Sequence, residues 1–198
     1  MARLHAVPPQ DFDPALRATL GPALDDPQGL GLLRVLAQRP DVAQAFLAFR
    51  SAVTASSTLS PRLVELTRLR IAFHNQCRSC MALRTATGAA DGVTEGLVCS
   101  LEKPAEAPDL TDAEKAALRY ADLFATDHLA ADEAVFDDLR TYFTEPEIVE
   151  LGVQIGVFVG FGRLSATWDI VDDLPERFRD RDDLVTPWGA DAVVADHR

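Results

Sequence analysis

The chain reads as an all-α helical bundle. Proline and glycine cut the sequence into helix-length pieces, no run alternates apolar and polar residues between hairpin turns, and the 47% apolar content is rich in alanine and leucine. A length of 198 residues buries one core without requiring a second domain. Residues 1–198 are therefore read as a single helical domain, with a core over 29–170 and a C-terminal tail over 171–198.

Ala15 to Leu20 makes a first short helix, broken by Gly21-Pro22. A second runs from about Leu30 to Gln38 and stops at Pro40, and Asp41 to Thr54 follows. Ser60 is the N-cap of the next helix, with Pro61 in its first turn; Leu63, Leu66, Ile71 and Phe73 carry its apolar face toward Asn75. Met81 to Thr87 is read as helix up to Gly88, and Thr94 to Leu101 as another. The polar, proline-broken stretch EKPAEAPDL is a loop. Thr111 and Glu114 form a capping box that opens a helix to about Thr126. Ala131 to Phe143 and Glu145 to Asp169 complete the set. In the tail, Leu184, Val185, Trp188, Val193 and Val194 are the apolar residues available to pack, on this chain or on a neighbouring subunit.

Two segments echo each other. Leu63 to Cys80 laid over Ile148 to Ser165 superposes Glu65 on Glu150 and Phe73 on Phe158, which suggests a duplicated helical unit or two similar amphipathic helices. Gly162 and Ser165 stand where the first segment has its cysteines. Gly152, Gly156 and Gly160 recur every fourth residue and line one helical face, suited to close crossing by another helix.

Charge and motifs narrow the function classes. The 31 acidic against 19 basic residues give a net charge of −12, which argues against nucleic acid and anionic membrane surfaces as partners. The opening residues have no apolar core of signal-peptide length and the run IGVFVGFG is short for a bilayer, so the expectation is a soluble cytoplasmic protein. Phosphate-binding glycine loops, dinucleotide fingerprints and serine-nucleophile elbows are absent.

The chemistry concentrates in Phe73 to Gly88. Cys77 and Cys80, three apart, share a helical face at disulfide-forming distance, and a helix starting after Asn75-Gln76, with Arg78 adjacent, favours a thiolate. Three cysteines in such a chain are no disulfide framework, which leaves catalysis or metal binding for the close pair. His74, Cys77, Cys80 and Cys99 formally make a zinc ligand set, though Cys99 reads more simply as a buried small hydrophobe.

Glu65, twelve residues before Cys77 in the context LxxLRIAxxNxCxxC, together with the stretch from Leu118 to Leu164, resembles the carboxymuconolactone decarboxylase superfamily, in its AhpD-like, alkylhydroperoxidase-type branch. The resemblance spans roughly Leu30 to Asp169. It implies an AhpD-like helical fold, a homo-oligomer (trimer or hexamer), and a thiol-dependent peroxidase or disulfide oxidoreductase working without a metal or cofactor. The implied partners are a small peroxide or hydroperoxide and a thiol reductant or partner peroxidase. Cys80 would attack, Cys77 resolve and Glu65 serve the proton relay.

The family's relay histidine, four residues after the second cysteine, is Arg84 here, and Ser79 stands where some members carry another histidine. With the cysteine helix continuing toward Thr87, Arg84 is expected one turn beyond Cys80, where it bridges the thiol to Glu65 and supplies positive potential without shuttling a proton. Glu65 has a plainer reading as a carboxylate paired with Arg68 or Arg84. His74 lies on the opposite face from Glu65, and His128 would reach the site only through tertiary folding. Competing readings are a carboxymuconolactone-type decarboxylase and a non-enzymatic helical assembly with incidental or regulatory thiols.

Overall fold

The computed structural model describes residues 2–25, 27–172, 174–179, 185–188 and 193–195. Its helices are α1 (Pro14–Leu20), α2 (Gly31–Leu36), α3 (Pro40–Ala55), α4 (Pro61–His74), α5 (Arg78–Ala82), α6 (Ala86–Ala90), α7 (Glu95–Ser100), α8 (Asp112–Thr126), α9 (Glu133–Arg140), α10 (Glu145–Trp168) and α11 (Glu176–Arg179), with short 3-10 turns between them. The all-α expectation holds, with one exception. Leu83–Thr85 (β1) is extended and pairs in parallel with Val193–Ala195 (β2) in the tail.

Local capping explains most helix starts. The Ser60 hydroxyl accepts the N–H of Leu63, and Thr111 and Glu114 form the expected capping box. A second box, Thr144 with Glu147, opens α10, which ends at Asp169 in a left-handed conformation (φ 56°).

α4 is the axis of the molecule. It is packed by α8, α10, α6 and α5, and its buried residues Leu63, Leu66, Leu69, Ile71 and Ala72 lie around most of its circumference. It also carries three arginines, and each has a carboxylate partner: Arg62 with Glu114, Arg68 with Glu65, and Arg70 with Asp122. Charges this close to a core persist only when paired. Burial alone would raise the carboxyls of Glu114 and Asp122, but hydrogen bonds and charge, from Arg62 and the Thr111 N–H on Glu114 and from His74 and Arg70 on Asp122, bring both below the usual range.

α10 is long and apolar enough to match a membrane span by length and composition. In this fold it packs on α4, α8, α5 and α9, and its polar residues are tied into the bundle: Gln154 accepts from Arg50, and Arg163 donates to Asn75 and to the Ala125 carbonyl. The echo between the two segments holds along the helices and fails at the cysteines. α4 ends at His74 and the chain breaks, whereas α10 runs on through Gly162 and Ser165.

The glycines of α10 have separate purposes. A Cβ on Gly152 would meet the Tyr120 hydroxyl at 3.4 Å, while Gly156 and Gly160 face open space. Gly162 leaves room for the Asn75 side chain, whose amide donates to the carbonyls of Phe158 and Val159. Gly162→Ala is therefore expected to cost about 1–3 kcal/mol by overpacking. Gly156→Ala is expected to be neutral or to stabilise by up to about 1 kcal/mol through helix propensity. Denaturant unfolding of the two variants reads the contrast.

The tail closes over one side of the bundle. Trp188 packs on Phe73 with ring centroids 4.8 Å apart, Val185 exchanges hydrogen bonds with the Gln76 side chain, and Phe178 is fully buried beside Met81 and Leu174. Leu184 lies outside the described residues.

Candidate active site

The break expected near Asn75 and Gln76 is present and firmly held. Asn75 caps α4 and is clamped to α10, and Gln76 adopts φ 48°, a conformation that a residue other than glycine takes at a cost. Cys77 then becomes the N-cap of α5, its Sγ accepting the N–H of Cys80 at 3.3 Å. Cys77 and Cys80 are joined as a disulfide with Cα atoms 5.2 Å apart. Cys77 is 0% exposed, whereas Cys80 is only partly buried.

Glu65 is 1% exposed and connects to this pair through Arg68. Its oxygens accept from Arg68 Nε and Nη2 at 2.7 and 2.8 Å and from the Thr85 N–H at 3.0 Å. Burial by itself pushes this carboxyl up, but the charge and hydrogen bonds of Arg68 and the Thr85 N–H outweigh it, and the net shift is downward. Gly88 permits the arrangement, because a Cβ there would meet the Cβ and Cγ of Glu65 at 2.7 Å. Arg68 continues from Glu65 to the loop, donating to the carbonyl of Cys80 at 2.7 Å and of Leu83 at 2.8 Å.

Arg84 does not make the expected bridge. The helix carrying the cysteines ends at Ala82 and the backbone turns extended at Leu83 (φ −95°, ψ 147°), so residue 84 is no longer one turn beyond Cys80 on the same face. Its guanidinium is 3% exposed and instead binds Glu95, the carbonyls of Met81 and Leu83, and the Pro187 carbonyl of the tail. Arg68 occupies the bridging place. The spacing Glu65-x-x-Arg68, one turn apart on one helix, was the available sequence signal.

The remaining candidates fall elsewhere. His74 pairs with Asp122 at 2.7 Å, next to Arg70, and His128 is exposed in a 3-10 turn. Cys99 is free and exposed, against the expectation of burial, because α7 packs through Leu97 and Val98 and leaves position 99 outward. No cluster able to hold a metal ion occurs among the described residues.

A cavity of about 200 Å³ opens at the disulfide. Cys80, Ser79, Arg68 and Leu83 line one side, and Arg50, Phe46, Phe158, Phe161, Gly162 and Ser165 close the other. Cys77 is not in its wall. A larger groove, of about 540 Å³, lies along α8 and the loop before it; it is lined by charged residues and contains neither cysteine.

Fold and site together define an all-helical protein with a cysteine pair at a helix start, backed by a buried glutamate. Residues 40–123 match the Carboxymuconolactone decarboxylase family. Over 90% of its length the chain also shares the fold of a protein from Ralstonia eutropha described as an alkylhydroperoxidase AhpD core, an uncharacterized peroxidase-related protein, at TM-score 0.68, 21% identity and 94% coverage of that structure. Among curated proteins it is 38% identical over 115 residues to an uncharacterized protein of Mycobacterium tuberculosis, found in two strains. That match covers 57% of this chain and 40% of the relative, so it spans less than half of the relative's length. Residues 40–123 are thus similar to the carboxymuconolactone decarboxylase family, and the chain has the fold of that AhpD core.

Proposed function

We propose that the protein is a thiol-dependent peroxidase and disulfide oxidoreductase whose Cys77–Cys80 pair cycles between dithiol and disulfide. The observation that carries this reading is the asymmetry of the pair, with Cys80 in the cavity wall and Cys77 buried at a helix N-cap.

In the oxidative half, the Cys80 thiolate attacks the terminal oxygen of a hydroperoxide. The O–O bond breaks, the alkoxide leaves and takes a solvent proton to become the alcohol, and Cys80 becomes a sulfenic acid. Cys77 then attacks that sulfur as thiolate; hydroxide departs, gains a proton and leaves as water, and the disulfide forms. In the reductive half, an external thiolate attacks Cys80 and expels Cys77, whose charge is met by the Cys80 N–H. A second external thiol resolves the mixed disulfide and restores both thiols. The second half requires a reducing compartment, in keeping with a cytoplasmic setting.

Arg68 supplies fixed positive charge close to Cys80, which favours the ionised thiol. Glu65, held as carboxylate, positions Arg68, and the protons travel through cavity water. Intact-mass measurement of reduced protein treated with hydrogen peroxide tests the cycle. A loss of two hydrogens, reversed by a dithiol, is expected; no change in mass would refute it. Alkylation of the reduced protein against pH is expected to give an apparent midpoint below about 8.5, the unperturbed cysteine value.

Self-assembly is part of the same proposal. α10 turns Val149, Val153, Gly156, Gly160 and Leu164 outward at helical spacing, and a second copy of the chain is the occupant proposed for this face. Gly156→Leu is expected to shift the sedimentation velocity distribution toward the monomer.

A further inference from the structure

The protein carries a net charge of −12, yet the cavity at Cys80 is lined by two guanidinium groups, those of Arg50 and Arg68. Arg68 is already paired with Glu65. Arg50 is not: its partners are the Gln154 side-chain oxygen at 3.2 Å and the face of Phe158, 5.7 Å from the ring centroid, and among the described residues it has no carboxylate partner. Burial and the neighbouring charge of Arg68 both disfavour its charged form. A half-buried guanidinium retains most of its five donors for an oxygen anion, and a planar carboxylate is the group that fits its fork. Apart from Ser165, the rest of the opposing wall is apolar, built largely from Phe46, Phe158, Phe161 and Leu32.

We propose that this cavity binds a small apolar molecule bearing one carboxylate, with the carboxylate on Arg50 and the body between the phenylalanine rings. This deepens, and in its chemical part rests on, the peroxidase reading: the substrate class is a carboxylated organic hydroperoxide, presented with its O–O bond toward Cys80. Cavity size limits the body. The volume equals that of roughly seven waters at about 30 Å³ each, which suits one aromatic ring or a short branched chain.

The test separates binding from turnover. Calorimetric titration of the disulfide form with benzoate and with benzyl alcohol, which share the ring and differ in charge, should give at least about tenfold tighter binding of benzoate. Arg50→Gln should abolish that preference, and Arg50→Lys should retain part of it. Equal affinities in the wild-type protein, or a preference surviving Arg50→Gln, would overturn the proposal. In turnover, cumene hydroperoxide carrying a para-carboxylate should exceed plain cumene hydroperoxide in kcat/KM by a similar factor. Should benzoate bind through Arg50 while neither hydroperoxide is consumed, the cavity assignment stands and the peroxidase reading falls. The converse result, with both hydroperoxides consumed equally and benzoate ignored, removes the cavity assignment alone.

Discussion

Cys80→Ser is expected to bring peroxide consumption down to the uncatalysed background, while Cys77→Ser is expected to stop after the first step. The difference follows from where the two sulfurs lie. Only Cys80 reaches the cavity, so without it no nucleophile meets the oxidant. Without Cys77 the attack still occurs, but the resulting sulfenic acid has no partner and accumulates. Dimedone labelling after one equivalent of hydrogen peroxide checks this, with one adduct expected on Cys77→Ser and none on Cys80→Ser. The opposite pattern would make Cys77 the attacking thiol and would require the loop to open, since that sulfur is fully enclosed. Equal peroxide consumption by both variants and the wild type would remove the pair from the chemistry.

Arg68→Met is expected to lower stability by about 3–5 kcal/mol at neutral pH, because it strands a buried carboxylate. The dependence on pH gives this prediction a distinctive form. In the wild type the carboxyl of Glu65 is held below its ordinary range, so its contribution is present above the unfolded value and is lost as pH falls through the lower folded one. In the variant, burial remains and the main opposing charge is gone, so the folded value rises above the unfolded one. The contribution of Glu65 then favours the folded state at low pH and is lost as pH increases. The stability gap between the two proteins should therefore narrow on acidification through the carboxyl range. Denaturant unfolding at several pH values measures it, and a constant gap would mean that Glu65 does not carry the effect. Adding Glu65→Leu to the variant should restore much of the loss, as replacing a whole buried ion pair usually does.

How much of this was legible in the sequence depends on how local each cause is. Ser60 with Pro61, and Thr111 with Glu114, announce their helices through contacts made within one turn, and the structure has both. The break before Cys77 was also readable, although the residue at positive φ is a glutamine, which carries no such signal by itself. The strand Leu83–Thr85 was not legible. Its partner Val193–Ala195 lies more than 100 residues later, and without that partner Leu83-Arg84-Thr85 looks like a continuation of the helix before it. That single misreading displaced Arg84, because the geometric argument for it assumed a continuous helix. Arg68 was in view as a partner of Glu65 but not as the link to Cys80, a contact that exists only once the loop folds back over α4. Arg50 and the cavity arise from packing α3 against α10, and no spacing within either segment reports that.

Asn75 and Gly162 bind the two echoing segments into one unit of sequence change. The side chain that fastens the cysteine loop occupies the very volume a larger residue at 162 would need. Neither position is free to drift alone: bulk gained at 162 must be answered by a smaller group at 75, and that exchange would release the loop from α10. A lineage that filled this niche would keep its helices and lose the fixed placement of its sulfurs.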